Sequence, residues 1–228
     1  MNFRLLVFDW DGTLMDSEAR IVACMRAALS DVGCPPSPDA AIRDIIGLGL
    51  AEAIAVLLPR EPEGIRVRVA QCYREHFLSG EREPSPLFHG ARETLHQLFD
   101  AGYLLAVATG KSRRGLERAF AATGLKDLFH ASRCADEAFS KPHPEMLEQI
   151  MTELGARPAE TLMIGDTEYD MQMAANAGAR GLGVSYGVHA PERLLRQRAL
   201  HCVESLPAIP VWLQQADPLQ PATAASVY

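Results

Sequence analysis

Short, wholly apolar runs that stop abruptly at a polar loop constrain this chain more than any other feature. Leu5-Leu6-Val7-Phe8 ends at Asp9, and the run from Tyr103 to Ala108 ends at Thr109-Gly110-Lys111. Thr161 to Ile164 ends at Gly165-Asp166-Thr167. Runs of this length without polar alternation suit strands covered on both faces, as in a parallel sheet. Gly181 to Val184 is a fourth candidate, weakened by its two glycines. Helical patterns lie between the runs: Ala91 to Ala101, Arg113 to Thr123, Pro144 to Leu154 and Glu168 to Ala177, each followed by glycine. Strand, polar loop and helix in repetition predict an α/β fold with a mostly parallel sheet. Such sheets bind ligands outside the carboxyl ends of their strands, and Asp9, Thr109 and Asp166 all fall there.

Residues 16–86 break the alternation. Four helical segments are expected, Glu18–Val32, Asp39–Ile46, Ala51–Leu58 and Gly64–Leu78, with no good strand among them. Glu81 to Pro86, carrying two prolines, reads as a linker. The expected organisation is an α/β core of residues 1–15 and 87–213, a helical insert of residues 16–86, and a frayed tail of residues 214–228. The insert begins directly after the first strand and its loop, so it is placed to cover a site there.

Composition narrows the function classes. The formal net charge of -7 disfavours a nucleic-acid backbone as partner. The five cysteines form no C-x-x-C pair, so they read as reduced packing residues and no zinc site is expected. The opening apolar run is broken by Asp9 and Asp11 and resembles neither a signal peptide nor a membrane span. Cytoplasmic residence is the default expectation.

Asp9-Trp10-Asp11-Gly12-Thr13 carries the most chemistry. Two carboxylates two residues apart can serve one site only if the backbone leaves the pleat, which Gly12 permits, or if one ligand is a carbonyl. One carboxylate can attack phosphorus while the other protonates the departing oxygen and later draws a proton from water. A bare Asp-x-Asp-Gly is more often only a turn. Asp166 and Asp170 add two acids at another strand end, four apart and on one face if a helix begins between them. Gathered acids repel, and a hard divalent cation such as Mg²⁺ removes that cost. The same segment also reads as a capped helix start. Thr109 and the backbone after it can hold phosphate oxygens, or Thr109 and Ser112 can merely cap a helix. Lys141 can supply a positive centre, although single lysines are usually solvated.

Together these four signals resemble the haloacid dehalogenase superfamily, in its phosphatase branch, and within it the phosphoglycolate phosphatase and pyrophosphatase-like group. The resemblance runs from Leu5 to about Gly187. DWDGT matches the first motif, Thr109 the second, Lys141 the third and GDTEYD the fourth. It implies a Rossmann-like core with helices on both faces and a small all-α cap. It implies that Asp9 is the nucleophile and a Mg²⁺ ligand, and that Asp11 is the general acid/base and lends its carbonyl to the metal. Thr109 and the Gly110 N–H would bind the phosphoryl group, and Lys141 would orient Asp9. Asp166 would ligate Mg²⁺, with Asp170 supporting it through water. The expected partner is a small phosphorylated metabolite, phosphoglycolate-like, a sugar phosphate or a nucleotide, with no nucleic acid and no membrane. A monomer, or else a dimer, is the expected assembly.

One departure stands out: phosphoglycolate phosphatases commonly have Asn where this chain has Gly110. Gly47-Leu48-Gly49 is a candidate loop toward the substrate, and Arg43, Arg113 and Arg114 are candidate contacts to its tail. His89 reads as structural. Three rivals share parts of the pattern: a dehalogenase, which has no use for Asp11; a sugar-phosphate mutase; and a regulatory module without catalysis.

Overall fold

The structure, a computed structural model, describes residues 2–79 and 85–216. Residues 81–84 of the expected linker and residues 217–228 of the expected tail lie outside that range. Residues 214–216 of that tail belong to a helix instead.

Six parallel strands form one sheet: β1 (Leu5–Phe8), β2 (Leu104–Thr109), β3 (Ala131–Cys134), β4 (Thr161–Gly165), β5 (Arg180–Val184) and β6 (Ala199–Val203), in the order β3-β2-β1-β4-β5-β6. All four expected strands are present within one residue or so of their predicted bounds. β3 and β6 escape the apolar-run signal because they are the sheet's edges. β3 carries half-buried Ser132 and Arg133, and β6 carries exposed His201. An edge strand needs no continuous apolar sequence.

The core divides by side-chain alternation. Leu6 and Phe8 face one apolar cluster with α5 (Ala91–Asp100), α6 (Arg113–Thr123) and α10 (Ala208–Ala216). Leu5 and Val7 face another with α7 (Glu145–Leu154) and α8 (Glu168–Asn176). Helices therefore cover both faces of the sheet. A shorter helix, α9 (Pro191–Arg196), precedes β6.

Residues between β1 and α5 form α1 (Glu18–Val32), α2 (Asp39–Asp44), α3 (Leu50–Leu57) and α4 (Glu63–Ser79). Val22, Met25, Leu29, Ile42, Ile54 and Val69 give these helices an apolar cluster of their own. Three bonds among those tying them to the sheet side are Gly49 N donating to Ser140 Oγ at 2.7 Å, Tyr169 Oη donating to the Asp44 carbonyl at 2.8 Å, and Arg193 donating to the Asp44 carboxylate.

The strand order locates the site. From β1 the chain steps outward to β2 and β3, then crosses back to β4 on the other side of β1. Loops at the carboxyl ends of β1 and β4 therefore splay apart, leaving a crevice at this switch point. Phe8 is level with Val107 and Ile164, so Asp9, Thr109 and Asp166 reach the crevice side by side.

Candidate active site

Burying a charge is expensive unless it is paired, and this crevice buries four ionisable groups. Asp9, Lys141, Asp166 and Asp170 are each at most 1% exposed. The Lys141 ammonium lies 2.8 Å from Asp9 Oδ1 and 2.6 Å from Asp170 Oδ1. Asp170 is fully engaged. Its other oxygen accepts from Thr167 N at 3.1 Å and Thr167 Oγ1 at 2.7 Å, which anchors the first turn of α8. Thr13 Oγ1 donates to Asp166 Oδ1 at 2.8 Å, and Val188 N donates to Oδ2 at 2.9 Å.

Asp9 differs. The Lys141 ammonium is 2.8 Å from Oδ1, and apart from it neither carboxylate oxygen of Asp9 has a hydrogen-bond donor among the described residues. Oxygens of Asp9, Asp166 and Asp170 all come within 4.8 Å of one another. Three buried carboxylates against one ammonium leave two negative charges uncompensated. An oxygen-rich, doubly negative cradle with unbonded acceptors fits a hard divalent cation such as Mg²⁺.

The electrostatics carry the same signature. Burial pushes Asp9 well above the usual carboxylate range, opposed by Lys141 and reinforced by Asp170 and Asp166. Burial, then the Asp170 charge, pushes Asp166 up to about 7, while the Val188 N–H and the Thr13 hydroxyl pull it back. Burial would lower Lys141, but Asp170 and Asp9 outweigh it and hold the ammonium charged. A cation must displace the Asp166 proton. Asp9 is raised as well, so a cation held by both competes with protons on each, and Mg²⁺ affinity should climb as pH rises toward neutrality. Isothermal titration across that range reads the slope, and a flat profile would contradict it.

Asp11 points elsewhere. Its carboxylate accepts from Ser17 Oγ at 2.5 Å and lies 2.8 Å from Lys111 Nζ. It still lines the same cavity as Asp9, Thr109 and Gly110. Thr109 Oγ1 accepts from Lys111 N at 3.2 Å, which leaves the hydroxyl proton available to donate. Thr13, Lys111, Ser17 and the Val188 N–H were not singled out from sequence. Thr13 and Lys111 do stand within the first two motifs, so position beside Asp11 and Thr109 was the available signal. Ser17 and Val188 carried none.

Two glycines hold the site by what they omit. Gly12 has φ +83°, and a Cβ there would lie 2.2 Å from Asp166 Oδ2. The turn therefore needs both the left-handed conformation and the missing side chain. A Cβ on Gly110 would lie 2.5 Å from the Leu48 carbonyl oxygen and 2.8 Å from that of Gly47. The loop of residues 47–49 thus occupies the space an Asn would need at 110. Gly110→Ala should displace this loop, with faster amide exchange at residues 47–49 and a stability loss of about 1–3 kcal/mol. Unchanged exchange would show that the contact yields cheaply.

The candidate arginines divide. Arg114 lines the cavity. Arg43 instead pairs with Glu18 at 2.5 Å, and Arg113 with Glu137 at 2.7 Å. His89 is exposed.

Residues 6–184 match the haloacid dehalogenase-like hydrolase family. The chain belongs to that family. A protein of Dickeya dadantii (strain 3937), described as "Probable phosphatase IndB", is 40% identical over 196 residues, 83% of this chain and 84% of its own length. N-acetylmuramic acid 6-phosphate phosphatase of Pseudomonas putida is 31% identical over 194 residues, 84% of this chain and 87% of its own. A crystal structure described as that of a predicted phosphoglycolate phosphatase from Haemophilus somnus 129pt superposes with TM-score 0.82 at 25% identity. It covers 94% of this chain and 99% of its own. Membership in the haloacid dehalogenase-like family makes the chain a hydrolase with a Rossmann-like core. No helix among the described residues is long and apolar enough to cross a membrane.

Proposed function

We propose that this haloacid dehalogenase-like hydrolase is a Mg²⁺-dependent phosphatase of small phosphate monoesters, working through a phosphoryl group carried on Asp9. The observation that carries the reading is a buried carboxylate, held 2.8 Å from an ammonium, whose oxygens have no other hydrogen-bond donor among the described residues. A structural aspartate would have its acceptors satisfied.

The chain's own residues account for the steps. Asp9 attacks phosphorus in line, forming an O–P bond as the ester O–P bond breaks. The departing alkoxide takes a proton from Asp11, and Asp11 then draws a proton from the water that attacks the phosphoryl-aspartate. Inorganic phosphate leaves and the Asp9 carboxylate is restored. Lys141 opposes the burial that favours the protonated form of Asp9 and aims its carboxylate, and Asp170 fixes Lys141 from behind. Thr109 Oγ1 and the Gly110 N–H are the donors available to phosphoryl oxygens. In the structure Ser17 and Lys111 hold the Asp11 side chain away from Asp9, so Asp11 must exchange these partners for the departing oxygen before it can act as acid. Asp9, Asp166 and the Asp11 carbonyl would hold Mg²⁺, which when bound neutralises the excess charge and polarises the phosphoryl group. We read residues 16–86 as the cap over this site.

Phosphate release from p-nitrophenyl phosphate tests the reading. Turnover should vanish in EDTA and return with Mg²⁺. Full turnover without metal, or isomerisation of a sugar phosphate without free phosphate, would overturn it.

A further inference from the structure

The cavity above Asp9 is about 330 Å³ in volume and is walled on the side of the helical insert by apolar residues, among them Met25, Ile45, Ile46, Leu48, Leu50 and Phe77. Charge on this wall is scarce where it would matter. Besides Asp9 and Asp11, the lining carries Lys111, Arg74, Arg114, Glu52 and Asp136. Lys111 is already committed, with its ammonium 2.8 Å from Asp11 and 5.0 Å from the Phe77 ring centroid. The other four are exposed, two of each sign. Among the described residues lining the cavity, no buried and uncommitted cation awaits a second anion on the substrate. A carboxylate pressed against the apolar residues themselves would lose its water with no buried cation to replace it, because the two further cations of the lining, Arg74 and Arg114, are solvent-exposed and already well hydrated.

Resting on the phosphatase reading above, we propose that the preferred substrate is a phosphate monoester with an apolar leaving group, an alkyl or aryl alcohol, and not an ester bearing a second anion. The phosphate would sit at the Asp9, Thr109 and Gly110 end, and the hydrocarbon would displace water from the half-buried wall residues Leu48, Leu50 and Phe77. Gly110 fits this assignment. Its missing side chain lets the backbone of Gly47 and Leu48 close onto the phosphate end, which carries Leu48 to the cavity wall.

Two measurements test it. Values of kcat/KM for ethyl, butyl and hexyl phosphate should climb about threefold per added methylene, since each buries further apolar surface. Hexyl phosphate should exceed phosphoglycolate by on the order of tenfold. In parallel, isothermal titration in Mg²⁺ should show hexylphosphonate binding more tightly than phosphonoacetate. Tighter hexylphosphonate binding with no ester turned over would uphold the apolar site and overturn the phosphatase reading. Turnover that favours phosphoglycolate, or phosphonoacetate binding at least as well, would overturn the apolar assignment and leave the phosphatase reading standing. Binding of neither phosphonate would overturn both. Leu48→Gln should flatten the chain-length slope, and a slope unchanged from wild type would count against the wall.

Discussion

Asp9→Asn should lower phosphate release on the order of 10⁴-fold and, in metal-free buffer at neutral pH, raise the melting temperature. The amide keeps the shape of the carboxylate but cannot attack phosphorus, so the loss falls on kcat. The gain in stability follows from burial. Asp9 lies well above its unfolded value, chiefly because its charge is removed from water. A group raised in this way contributes its full stability below the unfolded value, about pH 4, and loses it as pH rises through the folded value. The amide does not titrate. The difference in melting temperature between the Asp9→Asn variant and wild-type protein should therefore be small near pH 4 and widen toward neutrality. Calorimetry in EDTA at two pH values measures it. Retained activity, or an equal difference at both pH values, would defeat the assignment of Asp9 as a buried, ionisable nucleophile.

Lys141→Met should cost about 3–5 kcal/mol of stability at neutral pH, together with most of the activity. Met nearly matches the buried stem of lysine, so little packing is lost. What goes is the ammonium that serves Asp9 at 2.8 Å and Asp170 at 2.6 Å. Three buried carboxylates then face one another with no internal cation. The fold must leave them unpaired or keep them protonated. Acidification should recover much of the lost stability, because protonation removes the repulsion. Lys141→Arg keeps the charge but asks a fully enclosed site to admit a larger planar head, so it should fold better than the Met variant while remaining slow. Urea unfolding at neutral and mildly acidic pH separates these effects. A Met variant as stable as wild type at neutral pH would mean that the ion pairs are not what holds the carboxylates together.

Local patterns carried much of this molecule. α1 and α6 have the bounds their periodicity and flanking residues predict, and β1 has those of its apolar run. Asp9, Thr109 and Asp166 could be placed together because strand ends in a parallel sheet share one edge, a consequence of chain direction rather than of long-range contact. The edge strands β3 and β6 were not legible, since half-exposed strands carry no continuous apolar run.

Other features belong to tertiary structure alone. Nothing near Lys141 in the chain says that its ammonium will be buried between Asp9 and Asp170, or that Asp11 will turn away toward Lys111. Those pairings depend on the strand order, which brings distant loops to one crevice. The apolar wall is likewise the edge of the insert's own core, since Met25, Ile45 and Ile46 belong to both. Periodicity tells which side of a helix avoids water. It does not tell which buried surface faces another helix and which faces a cavity, because both satisfy the same hydrophobic requirement.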